Sequence, residues 1–318
     1  MSMIKHKITN KIQLYALFIL LSSLVVYIAL VVGGVLLAIV ALFSAFMFYF
    51  FNPYIASSFI LRMYNAQIIP YSSAPALYDI ADELSSRAGL SFTPQLYYVP
   101  SSVINSFTVG QSENSSIAIS DGVLQRLDYE EIAGIIGHEI SHIKNDDVRV
   151  MIFADITGRL IKLFSLLGQA LILISLPFIL LGNMQINWLP FLIVIVSPLG
   201  SDLIQLAMSR VREYEADRGS AKLLGDARPL ISALNKIVYY EHPYFRSIFT
   251  PVHKIPEPSL LRTHPQTEER IRRLLDINKT IEHEPYQFHP DILSGSQPHH
   301  KIETKHRHPR RRMSGFWY

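Results

Sequence analysis

The sequence contains no cysteine. Disulfides, thiolate metal ligands and a cysteine nucleophile are therefore excluded, and any metal must be held by histidine and carboxylates. Charge is also scarce. Only 17% of the 318 residues are charged, against about a quarter in a soluble domain, while 49% are hydrophobic. Mean hydropathy is positive. A net charge of +3 is too small to argue for a nucleic-acid partner. No internal repeat is evident, so solenoid architectures are not indicated.

The shortage of charge is concentrated. Ile12 to Leu61 carries no charged residue at all. That stretch has room for two helical spans of about 20 residues each. The spans are expected at 12–31 and 35–54, with Gly33-Gly34 as the turn between them. A cleaved signal peptide has one short apolar core and a small-residue cleavage site. This run is too long for that and reads as an anchor. Leu163–Leu181 and Trp188–Met208 form a second apolar pair. Pro190, Pro198 and Asp202 weaken its second member, and a buried core hairpin is the alternative. Lys and Arg cluster before residue 12, after 61, just before 163 and after 209, whereas the tips near 33 and 185 carry none. The positive-inside rule then places both termini and the polar domain in the cytoplasm of a multi-pass cell-membrane protein.

The segments between read as globular. Ser73 to Ala88 has helical apolar spacing and ends at Gly89. Gln95–Val99 and Ser116–Ser120 read as strands of a short antiparallel sheet, with Asn105–Gly110 between them. An exposed edge here, carrying Asn105 and Phe107, can take an extended peptide by strand addition. Ser209–Gly225 and Arg228–Tyr240 read as helices, and Leu261–Leu275 as a capped one. Pro243–Ser259 is a Pro-rich loop. The tail from Pro285 lacks periodicity and reads as disordered. Its basic run, Lys305–Arg312, suits either solvent or anionic headgroups. Five segments follow: 1–61, a basic start and membrane hairpin; 62–160, with the sheet; 161–208, a second hairpin; 209–280, with two charged helices; and 281–318, the tail. The fold class expected is a mainly α membrane protein with an α+β domain and about four transmembrane helices.

The chemistry centres on His138-Glu-Ile-Ser-His142. Asp128 and Glu131 form a capping-box pattern that starts a helix, and Ile132, Ile135, Ile136, Ile140 and Ile143 mark its buried face. Residues four apart on a helix differ by about 40° in azimuth, so both imidazoles project to one side. Two neutral imidazoles make half of a tetrahedral zinc site. Glu139 is turned by about 100° and suits a general base better than a ligand. No further His follows at short fixed spacing, so the third ligand must come from elsewhere. Glu213 and Asp217 share one helical face. Such a pair can supply one metal ligand and one carboxylate that orients a ligating imidazole. Glu215 is the competing ligand, on another face.

Three motifs now carry a resemblance. His138-Glu-Ile-Ser-His142 with Asn145 and Asp147, Ser209-Arg-Val-Arg-Glu-Tyr-Glu-Ala-Asp217, and Thr263-His-Pro-Gln-Thr-Glu-Glu-Arg-Ile271 resemble the HtpX-type zinc membrane proteases. These belong to the gluzincin group that includes the CaaX prenyl endopeptidases. Asn105-Ser-Phe-Thr-Val-Gly110 is similar to the family's Asn-Ala-Phe segment, and the family often has Gly in place of Asp146. The resemblance implies one Zn2+ per chain held by His138, His142 and Glu213, with Glu139 as catalytic base. It implies Asp217 supporting a ligating His, and His264 and Arg270 near the site, where they can stabilise an oxyanion. The implied activity is that of a zinc metalloendopeptidase using Glu-assisted attack of zinc-bound water. Its implied substrates are polypeptides, in particular misfolded or damaged membrane proteins. A CaaX-type processing protease and a non-catalytic zinc-binding scaffold are the rival readings. CaaX-type enzymes are usually larger, with more spans around a closed chamber. Oligomeric state is not legible.

Overall fold

In the computed structural model, residues 2–51, 53–181, 188–245, 267–279 and 286 are described. Helix α1 spans Ser2–Phe51 and is interrupted at Gly33 (φ −140°, ψ 15°) and Gly34 (φ 70°, ψ −165°). The second of these lies in the left-handed region open to glycine. The break falls where the sequence predicts a turn. Helices α6 (Asp147–Leu180) and α7 (Trp188–Leu224) pack on α1. The shared cluster holds Leu21, Val25 and Ile28 from before the break and Ala38 and Ala41 from after it. Ile161, Phe164, Val194 and Met208 also belong to it. Phe18 stacks on Phe153 with ring centroids 4.2 Å apart.

Among the described residues, three helices are long and apolar enough to cross a membrane: Ile12–Met47, Asp147–Leu180 and Trp188–Leu224. Their outward faces carry large apolar side chains, such as Leu36, Leu166, Leu173, Phe178, Leu192 and Leu199. A surface of this kind suits lipid rather than water. The last two helices do not stop where the apolar runs stop. Helix α6 begins directly after the His-Glu helix, and α7 continues unbroken from the apolar run through the charged stretch beyond residue 208.

The polar domain is built around α5 (Tyr129–Lys144). The capping box is formed: Glu131 N–H donates to Asp128 Oδ1 at 2.9 Å, and Asp128 N–H to Glu131 Oε2 at 3.0 Å. The same Glu131 carboxylate accepts from Ser232 Oγ (2.7 Å) and Lys236 Nζ (2.5 Å), both on α8 (Arg228–Phe245). Ile132, Ile136 and Ile140 are fully buried against α3 (Pro75–Ala88) and the sheet. Helix α2 (Pro53–Met63) links the first membrane helix to the sheet, α4 (Asp121–Arg126) follows its last strand, and α9 (Thr267–Asn278) closes the far side. The expected 243–259 loop lies mostly outside the described residues. So do the first residues of the predicted 261–275 helix and, apart from Tyr286, the tail.

The sheet differs from expectation. It has four strands in the order β1 (Gln67–Ile68), β2 (Gln95–Val99), β4 (Ser116–Ser120), β3 (Ser106–Val109). Strand β2 pairs with β4 in parallel, and the other two pairings are antiparallel. The sheet is therefore mixed, not antiparallel. The chain crosses to the far edge to lay down β3, then folds back so that β4 fills the gap beside β2. Among the described residues, this leaves one side of β3 as a sheet edge.

Helices α5 and α7 meet at small residues. A Cβ at Gly219 would lie 2.3 Å from Ser141 Oγ and 2.7 Å from Ser141 Cβ. Ser141 is buried, and its hydroxyl is already committed to the Gly137 carbonyl at 2.7 Å. Gly219→Ala is expected to push α7 off α5 at a cost of about 1–3 kcal/mol. Thermal unfolding of the detergent-solubilised protein should show a lower midpoint; an unchanged midpoint would mean the helices are not held this closely.

Candidate active site

His138 and His142 stand one turn apart on α5, with rings edge to face and centroids 4.6 Å apart. Their Nε2 atoms are 3.1 Å from each other. Helix α7 brings Glu213 to them. Its Oε2 is 3.5 Å from His138 Nε2, and its Oε1 is 3.6 Å from His142 Nε2. Among the described residues, these three form the group able to share a metal ion. A tetrahedral ion with bonds of about 2.0–2.1 Å has ligand–ligand edges of about 3.3–3.4 Å. The three observed separations bracket that value, so the donor set fits zinc without rearrangement. Glu215 faces elsewhere, accepting from Asn10 Nδ2 at 3.3 Å and pairing with Arg218.

Each imidazole is backed by a carboxylate. Asp217 Oδ1 lies 3.0 Å from His138 Nδ1, in ion-pair range although not aligned as a full hydrogen bond. Asp147 Oδ2 lies 2.7 Å from His142 Nδ1. Arg270 from α9 donates from Nε (2.8 Å) and Nη2 (2.6 Å) to the two oxygens of Asp217. Its Nη1 is 3.3 Å from Glu213 Oε2. The guanidinium is thus engaged with two carboxylates of the site and 5% exposed.

Glu139 also lies at this centre. Ser106 Oγ donates to its Oε1 at 2.6 Å and Thr108 Oγ1 to its Oε2 at 2.7 Å. Both hydroxyls come from β3, whose side chains alternate. Phe107 turns the other way, with its ring 4.9 Å from that of Tyr64. Asn105 precedes the strand, with its backbone bound to Ser120. A cleft of about 150 Å3 opens between β3 and the two membrane helices, with Ile60, Val109, Met151 and Ile152 among its apolar walls.

The structure thus gathers His138, Glu139, His142, Glu213, Asp217 and Arg270 into one place. His264 lies outside the described residues. Sequence reasoning gave no role to Ser106, Thr108, Asp147 or Arg212. The first two alternate with buried Phe107 and Val109 in a period of two, a signal that gives their shared face but not the helix it meets. Asp147 was visible as an acid just beyond the end of α5.

Residues 72–278 match peptidase family M48. The chain belongs to that family. Its relatives include proteins named Protease HtpX homolog. Those of Ralstonia pickettii strain 12J and Burkholderia mallei strain SAVP1 are each 32% identical over 291 residues. That of Paraburkholderia phytofirmans is 33% identical over the same length. In each case the match covers 85% of this chain and 98% of the relative. The expected HtpX-type resemblance therefore holds, and the protein is a membrane metalloprotease of a generally zinc-dependent family.

Burial alone would lower the pKa of His138, but Asp217 and Glu213 more than reverse this and raise it to about 9 in the metal-free protein. Burial, and then the charge on His138, push His142 down to about 4. A metal ion needs both imidazoles neutral. Between about pH 4 and 9, one proton must leave His138 as the ion enters, so affinity is expected to rise about tenfold per pH unit and level off above that window. Chelator competition across neutral pH checks this; an affinity independent of pH would contradict it.

Proposed function

We propose that the protein is a zinc endopeptidase that cuts polypeptides at the cytoplasmic face of the cell membrane, in the quality control of misfolded or damaged membrane proteins. The observation that carries the reading is the convergence of His138, His142 and Glu213 at tetrahedral-edge distances, with Glu139 lining the same cleft. In this reading the three residues hold one zinc ion, Asp217 orients His138, and Arg270 holds Asp217 and Glu213 in place. A bound zinc ion supplies Lewis-acid polarisation of the substrate carbonyl and a more acidic water.

Glu139 takes the proton of the attacking water and later returns it to the leaving amine. Ser106 and Thr108 hold its carboxylate toward the cleft until substrate and water arrive. The peptide adds as an extended strand along the free edge of β3, where main-chain hydrogen bonds fix its register. His264, from the His-Pro motif before α9, is assigned to the oxyanion side. The outcome is hydrolysis without a covalent enzyme intermediate.

The membrane arrangement proposed is four crossings in two hairpins, with both termini inside. A straight helix of 36 residues would be about 54 Å long, well beyond a hydrocarbon core of about 30 Å. A turn at Gly33-Gly34 resolves the excess. It also agrees with residues from both sides of the break sharing one buried cluster.

Glu139→Gln is expected to reduce cleavage of a casein-like substrate by about 10²–10⁴-fold while the protein still carries zinc. Persistent cleavage with zinc bound would remove Glu139 from the mechanism. For topology, a reporter fused near Asn183 is expected to read outside and one at the C-terminus inside. The reverse pattern would place the active site on the other face of the membrane.

A further inference from the structure

We propose that Asp147, braced by Arg212, is the positioning carboxylate of His142, so that this imidazole presents only Nε2 to the metal. The proposal rests on the ligand role given to His142 above. Asp147 is the first residue of α6, buried to 3% exposure. Its Oδ2 takes the Nδ1 side of His142 at 2.7 Å. An imidazole that donates Nδ1–H keeps its lone pair on Nε2. That atom faces His138 Nε2 at 3.1 Å and Glu213 Oε1 at 3.6 Å.

A buried carboxylate is costly unless a cation accompanies it. Arg212 from α7, 8% exposed, lies against the other oxygen of Asp147. Its Nη2 also donates to the carbonyl of Asn145 at 3.1 Å. Asn145 caps the end of α5, and Arg212 immediately precedes Glu213. One guanidinium therefore fastens the end of the histidine helix, the start of one membrane helix and the ligand-bearing turn of the other. His138, Asp217 and Arg270 form a second chain of the same composition. The Asp147 chain differs in that both its acid and its base come from the membrane-spanning helices. The pair of membrane helices thereby enters the metal site through its second histidine.

The test measures zinc affinity by chelator competition on the full-length protein in detergent, with the thermal midpoint of the metal-free protein followed alongside. Asp147→Ala is expected to weaken zinc binding by about 10–100-fold, and Asp147→Asn, which keeps an acceptor oxygen, by less. A lower midpoint with unchanged zinc affinity in both variants would overturn the proposal and leave a purely structural ion pair. A measurement without substitution covers the case in which the variants do not fold. The ¹⁵N spectrum of histidine-labelled, zinc-loaded wild type is expected to show His142 protonated at Nδ1, and zinc ligation at Nδ1 overturns the proposal. If zinc binding is indifferent to His142→Ala, the ligand assignment falls and takes the proposal with it. If binding depends on His142 but not on Asp147, the proposal falls alone.

Discussion

The contact between α5 and α7 is the constraint on which everything else depends. The histidines lie on one helix and Glu213 on the other, 71 residues beyond His142 (213 − 142). Three side chains whose polar atoms lie 3.1–3.6 Å apart tolerate little slack between their supports. The helices come this close because side chains are missing or small where they meet. Gly219 lies against Ser141, and Ser220 Oγ donates to the carbonyl of Gly134 at 2.7 Å. Ile132, Ile136 and Ile140 then bury the opposite side of α5 and stop it from rolling.

Around that contact the charges are arranged in balanced units. Three carboxylates, two guanidiniums and two imidazoles share a small, largely buried volume. Left alone, any one of them would be expensive there. Asp217 and Glu213 answer Arg270, and Asp147 answers Arg212. Arg212 reaches His142 through Asp147, and Arg270 reaches His138 through Asp217 and lies beside Glu213. Glu139 is set apart from these ion pairs and is held by two neutral hydroxyls of the edge strand. The proposed base is thus gripped by neutral groups among the described residues.

Much of this was legible in the sequence because it is local. The capping box at Asp128, the strands at 95–99 and 116–120, the break at Gly33-Gly34 and the single-sided placement of His138 and His142 all follow from short-range rules of turn, cap and period. Helical phase put Glu213 on one face with Asp217 and left Glu215 as its rival; the preference for Glu213 came from the resemblance of the surrounding motif. What escaped was non-local. Parallel pairing of β2 with β4 depends on where β3 goes, and nothing in the strand residues records that path. Ser106 and Thr108 read as ordinary solvent-side positions until α5 is placed beside them. Asp147 and Arg212 are 65 residues apart (212 − 147), and their meeting depends on how two apolar helices pack.

The unbroken course of α7 from Trp188 to Leu224 sets a limit on dissection of the molecule. A fragment excised at the end of the apolar run, near residue 209, would begin its helix about one turn before Glu213. The first N–H groups of any helix lack intrahelical partners, and such ends fray. The excised fragment would thus carry Glu213, the acidic ligand proposed above, on the least ordered turn of a new terminus. In the intact chain that same turn lies well inside the helix, so the hydrophobic half acts as a splint as well as an anchor.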